Sequence, residues 1–122
     1  MVTNTEYTLA EIAQILINAP EVSGIVGDQI YHWSPPAEAK LPALSWSVAD
    51  IRTVQDADNQ PTAETWKVIL DAFCRGSPVK LAKAATAAMI SAGFVREYYS
   101  DVPAEKGVNQ ITMRFSKIYE AR

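Results

Sequence analysis

The side chains best equipped for chemistry are few. The chain holds one histidine, His32, and one cysteine, Cys74, the two residues able to serve as base and nucleophile together. Such a dyad also needs a group to orient the imidazole and N–H donors for the developing oxyanion. Neither "QIYHW" around His32 nor "LDAFC" around Cys74 supplies them. A histidine between Tyr31 and Trp33 in a short strand reads as a packed or surface histidine, and a cysteine ending an apolar strand reads as an inert thiol. No catalytic residue is expected, and the chain is read as a non-enzyme. One histidine and one cysteine cannot build a zinc site without carboxylates, and no Cys/His spacing suggests one. The segment "DADNQP" at 56–61 begins like a calcium loop, which wants oxygen ligands at positions 1, 3 and 5, glycine at 6 and glutamate at 12. Here position 6 is Pro61 and position 12 is Lys67, so a solvated turn is expected instead. "GIVG" at 24–27 fits a Gly-x-x-Gly nucleic-acid clamp, but Glu21 and Asp28 flank it where such a clamp wants basic residues; it reads as a helix stop. No glycine-rich phosphate cradle is present. No metal and no cofactor are expected.

The elements that would position these residues are legible as patterns. Thr8 with Glu11 forms a capping box, and "LAEIAQILINA" runs at helical period to Pro20. Glu11, Gln14 and Asn18 share a narrow face, leaving Leu9, Ile12, Ala13, Ile15, Leu16 and Ile17 around an apolar arc wider than one sheet can cover. "PEVSGIVGD" reads as a short extra turn ending at Gly27. "QIYHW" is a short strand followed by a link in which Pro35, Pro36 and Pro42 cannot donate to a ladder, so residues 34–42 are expected to be extended and exposed. "ALSWSVADIRTV" alternates Leu44, Trp46 and Val48 against Ser45, Ser47 and Ala49, and "TWKVILDAFC" places Trp66, Val68, Leu70 and Ala72 on one side. Joined by "QDADNQPTAE", they predict an antiparallel hairpin with a long tip from Gln55 to Ala63. Ser77-Pro78 opens an alanine-rich helix that Gly93 closes. One stripe of it carries Leu81, Ala85, Ala88 and Ala92; a second, roughly opposite, carries Val79, Thr86 and Ile90. "FVREYYS" and "NQITMRFSKIY" predict two closing strands separated by the loop "DVPAEKG". The order is α-β-β-β-α-β-β.

The predicted fold is α+β: an antiparallel sheet of four to five strands with two helices on one face. Trp46, Val48, Trp66, Val68, Leu70, Met113 and Phe115 should lie beneath Leu16, Leu81 and Ala85. At 122 residues the chain is the size of a single domain, 1–122, with no internal repeat and enough length for its own core. A lone cysteine forms no internal disulfide, which fits a reducing compartment. "MVTNTEYTLAEIAQ" lacks the pattern of a signal peptide, and no window approaches 18 apolar residues, so no membrane role is expected. Net charge is −3, and no two basic residues are adjacent, so the footprint of a nucleic-acid grip is missing. Two features stand out: helices with more apolar surface than one sheet face hides, which suggests a partner, and the acidic hairpin tip.

In order and spacing the set resembles the small tail completion proteins of long-tailed bacteriophages, also called tail terminators or head-to-tail joining proteins. The resemblance runs from about Leu9 to Tyr119. It rests on the first amphipathic helix, on "GDQIYHWSPPAEAKLPALSWSV" with its Gly-x-x-Ile-Tyr strand, proline link and Leu-Pro before the next strand, on the acidic-tipped hairpin, on "WKVILDAFC", on the alanine-rich helix and on the closing strands. Where the family usually has aromatic and β-branched residues after the Leu-Pro, this chain has "PALSWSV".

The resemblance implies a non-enzymatic virion assembly protein at the head–tail junction, put together in the host cytoplasm. It implies a homo-hexameric ring that caps the tail tube and meets the tube protein and the head connector or adaptor proteins. DNA would pass through without specific binding, which a net-acidic subunit suits because like charge keeps phosphates from sticking. The leftover apolar helix faces, with Val79, Ile90 and Ile15, become the expected subunit interface. The tip, with Gln55, Asp56, Asp58, Asn59 and Gln60, becomes the expected partner-binding segment. The competing reading is a small α+β ligand-binding or regulatory module that dimerises and would show a pocket lined by convergent polar groups.

Overall fold

The computed structural model describes residues 5–120 except 56 and 59. Its elements are α1 (Thr5–Ile17), α2 (Pro20–Val26), β1 (Ile30–His32), β2 (Ala43–Gln55), β3 (Pro61–Cys74), α3 (Val79–Ser91), β4 (Val95–Glu105) and β5 (Val108–Glu120). The α+β class and the element order are those read from the sequence, with the extra turn realised as the short helix α2.

The apolar alternation of β2, β3 and β5 fixes which face of the sheet is buried. The five strands lie in the order β1-β2-β3-β5-β4. Residues directly opposite share a face, so Trp46, Leu70 and Met113 form one row, and Val48, Val68 and Phe115 the next. Trp66, Val68, Leu70, Ala72, Met113 and Phe115 are fully buried. Ile12 and Leu16 of α1, Val22 and Val26 of α2, and Leu81, Ala82, Ala85 and Met89 of α3 complete the same cluster. The expected face assignment therefore holds, with Val48 packed at the margin of the core and only partly buried. Ala82 and Met89 join it because, one and eight residues on from Leu81, they fall on the same helical face as Leu81 and Ala85.

Several boundaries differ from the sequence reading. The sheet is mixed, not wholly antiparallel: β1 pairs parallel with β2, Ile30 opposite Leu44 and His32 opposite Trp46. The ten-residue link between them, 33–42, is long enough to carry the chain back to the start of β2. That link is not extended. It makes a turn closed by the Ala39 N–H donating to the Pro36 carbonyl, and the Lys40 N–H reaches Gln29 Oε1. The Leu41–Pro42 peptide is cis.

The first helix begins at Thr5, so Thr8 lies inside it, buried, and does not cap it. Glu11 turns instead toward β5. At α3 the Ser77 hydroxyl accepts the Val79 N–H at 3.3 Å while Pro78 holds the cap position. The expected loop 101–107 is mostly strand. β4 continues through Pro103, tolerated because β4 is an edge strand, and the β4–β5 turn shrinks to Lys106-Gly107, both at positive φ (53° and 77°) as a tight two-residue hairpin requires.

Candidate functional site

His32 and Cys74 are not brought together. Cys74 ends β3 opposite Asn109 of β5, whereas His32 sits on β1 opposite Trp46, whose β3 partner is Leu70. The His32 imidazole is sandwiched between Trp33 (centroids 4.1 Å apart, planes 15°) and Trp46 (4.0 Å, 9°). It is thus a filler between two indoles. Among the described residues no three His, Cys, Asp or Glu side chains gather as metal ligands. Of the calcium-like segment, Asp56 and Asn59 lie outside the described residues. Gly24 lies inside α2, and Gly27 closes that helix at φ 61° with its N–H on the Ser23 carbonyl, so "GIVG" is a helix end.

The expected interface residues divide into two places. Val79 and Ile90 are eleven apart on α3, hence on one helical face, and are 46% and 54% exposed. Thr86 lies on that same stripe. Its hydroxyl accepts from Arg96 of β4 and contacts Met113 Sδ of β5. The stripe therefore flanks the β4 edge of the sheet, and Val79 shares a cleft with Asp101 and Val102 of β4. Ile15 is elsewhere. It is partly buried and lines a groove between α1 and α3 with Ala19, Ala87, Ala88 and Ala92. Its apolar surface is shared with the core and adds only in part to an outer face.

At the hairpin, the ladder climbs further than the sequence suggests. Gln55 pairs with Pro61 and Val54 with Ala63, and the Thr62 hydroxyl donates to the Val54 carbonyl at 3.2 Å. The tip narrows from Gln55–Ala63 to residues 56–60, because the β-branched residues Thr53, Val54 and Thr62 continue the strands. Ala57, Asp58 and Gln60 are exposed there. A register shift between Val48 and Asp50 makes Ala49 an extra residue. Beyond it Ile51 and Thr53 take the helix side of the sheet, and Asp50 and Arg52, ion-paired at 2.7 Å, take the open side.

The open face and the edges carry features that residue patterns did not single out. On the open face Lys67 Nζ meets Glu97 Oε1 at 2.6 Å and the Ser116 hydroxyl donates to Glu97 Oε2 at 2.9 Å. The hydrogen bond from Lys67, then that from Ser116, hold the Glu97 carboxyl below the usual carboxylate range. On the helix side, Lys117 donates to the Ala92 carbonyl at the end of α3, stands 3.7 Å from Glu11 of α1, and lies over the rings of Phe94 and Tyr119. One cation thus ties α1, α3 and β5 together and suits the negative end of the α3 dipole.

Trp33 is the sharpest departure. It is 72% exposed, yet its backbone sits at φ 79°, a region costly for a bulky side chain. Its N–H donates to the Trp46 carbonyl at 2.7 Å. Strand alternation would send Trp33 to the side opposite His32; the left-handed backbone turns it back onto the stack. The available signal was three consecutive rings, Tyr31-His32-Trp33, ending a strand before Ser-Pro-Pro.

No protein-family model matches the sequence, and no curated protein does either. Among solved structures, the fold is similar to a chain of the "Virion of native gene transfer agent (GTA) particle", with TM-score 0.62 and 18% identity, over 90% of this chain and 92% of that one. At that identity the likeness is one of fold.

Proposed function

We propose that this chain is a structural component of a phage-like virion, and more finely a tail terminator: a ring, hexameric by the family resemblance, that caps a tail tube and joins it to the head connector. The observation that carries the reading is the shared fold with a virion chain along nearly the whole of both chains. Two features support it. The only histidine is locked in an aromatic stack on β1, and the only cysteine stands two strands away on β3, four residues beyond the Leu70 that is level with His32, so the groups that could make a dyad are apart. Exposed apolar side chains remain on α3, at Val79 and Ile90, and along the sheet edges, at Trp33, Val95 and Tyr99, as a subunit that meets copies of itself requires. In this reading the tip, residues 55–60, meets the tube or the connector, and Val79, Ile90 and Ile15 border the contacts between subunits. The alternative of a ligand-binding module finds less support: the space between helices and sheet is filled by Trp66, Phe115, Leu16 and Met89, all fully buried.

The test combines assembly and tip replacement. Mass measured across concentration, alone and with purified tail tubes, should show a monomer passing to a ring, with rings on tube ends in micrographs. Replacing residues 56–60 with Asn-Gly preserves the Gln55–Pro61 pairing and suits a tight hairpin, so folding and melting should be nearly unchanged while capping or head joining is lost. A concentration-independent dimer, or normal particles from the shortened protein, would refute the corresponding part of the reading.

A further inference from the structure

We propose that Trp33 anchors contact between copies of this chain, the indole of one copy packing on Tyr99 and Arg96 at the opposite sheet edge of the next. The inference rests on the self-assembling reading above and names the surfaces that meet.

The first support is position. His32 is level with Trp46, Trp46 with Leu70, Leu70 with Met113, and Met113 with Tyr99. This row crosses the sheet on the helix side, from the stack that ends in Trp33 at the β1 edge to Tyr99 at the β4 edge. Two copies set side by side in the same orientation therefore bring Trp33 of one level with Tyr99 of the other.

The second is direction. β1 runs parallel to β2, β2 and β5 are both antiparallel to β3, and β4 is antiparallel to β5. β4 thus runs opposite to β1, so edges meeting this way are antiparallel, the arrangement that strand edges accept most readily. Among the described residues both are edges: β1 has β2 as its one strand neighbour and β4 has β5.

The third is chemistry. Trp33 offers a flat, 72% exposed ring stacked on His32, on a backbone whose N–H is tied to the Trp46 carbonyl. Tyr99 is 39% exposed, and the Arg96 guanidinium lies 4.8 Å from its ring centroid, steadied by the Thr86 hydroxyl. A guanidinium and a phenol ring at an edge form a receptor for an indole face, through cation–π attraction and aromatic packing. A bulky residue held at positive φ with its ring in water is disfavoured in the isolated chain, and such outliers persist where a function needs them. Unlike surfaces meeting head to tail close into a ring when the rotation permits.

Cross-linking in a Cys74→Ser background tests this directly. The reaction is run at a concentration well above that at which the parent assembles, so that the lost ring contact is outweighed. Chains carrying Trp33→Cys mixed with chains carrying Tyr99→Cys should then be trapped by oxidant as a 33–99 disulfide dimer, and a chain carrying both should give a ladder of multimers. Trp33→Ala, checked for unchanged circular dichroism, should weaken self-association by at least about tenfold, as removal of a central aromatic anchor does; Trp33→Phe should recover part of it. If the parent assembles but Trp33→Ala assembles equally well, or a 33–33 product forms in place of 33–99, this inference fails and the ring reading stands. If Trp33→Ala assembles normally but fails to cap tails, Trp33 meets a different protein and the inference is again overturned. If the parent stays monomeric at every concentration and on tail tubes, both readings fall.

Discussion

Three tryptophans in three environments make a graded test of the packing. Trp66 is fully buried, its ring edge-on to Tyr119 at 5.8 Å and its Nε1–H donating to Glu64 at 3.1 Å. Truncating a buried tryptophan to alanine costs about 3–5 kcal/mol through lost transfer energy and the cavity left behind. The unfolding entropy of a globular chain is about 2.1 cal/mol/K per residue. For 122 residues, a loss of ~4 kcal/mol then lowers the melting temperature by about 15 °C, against a total stability of roughly 5–15 kcal/mol. Trp46, 4% exposed and stacked on His32, should cost nearly as much. Trp33→Ala should cost less than about 1 kcal/mol, since its exposed ring gains little from folding. Trp33→Gly should be more stable than Trp33→Ala by up to about 1 kcal/mol, because only glycine occupies φ 79° without strain. Thermal melts and urea titrations of the four variants give the ranking. If Trp66→Ala melts within a few degrees of the parent at an unchanged denaturant slope, or Trp33→Ala falls as far as Trp66→Ala, the assigned buried face is wrong.

Two further predictions come from the polar groups. Because Glu97 titrates below its unfolded value, its contribution is present at neutral pH and is lost as pH falls through the depressed folded value. Glu97→Gln should lower stability slightly at pH 7, the Lys67–Glu97 pair being more than a third exposed. The gap to the parent should close as pH drops below the usual carboxylate range; a gap that widens toward acid would contradict the assignment. The Ser45 hydroxyl is buried with no hydrogen-bond partner among the described residues. Ser45→Ala should therefore leave stability unchanged or raise it by up to about 1 kcal/mol, and a melting temperature lowered by several degrees would show that the hydroxyl is satisfied.

Much of the buried face and of the helix ends follows from local rules. Alternation in "ALSWSV" and "TWKVILDAFC" named Trp46, Trp66, Val68 and Leu70 as buried, because strand side chains change sides every residue whatever lies beyond. The stop at Gly27, the helix between Ser77-Pro78 and Gly93, and the apolar excess on Val79 and Ile90 were legible for the same reason: each depends on neighbours within a turn or two. The separation of His32 from Cys74 was foreshadowed only as a missing signature.

The remaining features come from contacts between distant segments. Whether β1 runs with or against β2 depends on where the link 33–42 returns, which no residue in β1 encodes. The strand lengths of β3 and β4 were set by their partners: pairing with Val54 and Gln55 drew Ala63 and Pro61 into β3, and pairing with Val108 and Gln110 drew Val102 and Glu105 into β4. Thr8 gave up its capping role because residues before it joined the helix. Only the assembled sheet places Trp33 level with Tyr99 at its far edge. These are relations between residues 66 positions apart, fixed by four strand registers in succession, so they arise when the registers form together and leave no periodic trace in the chain.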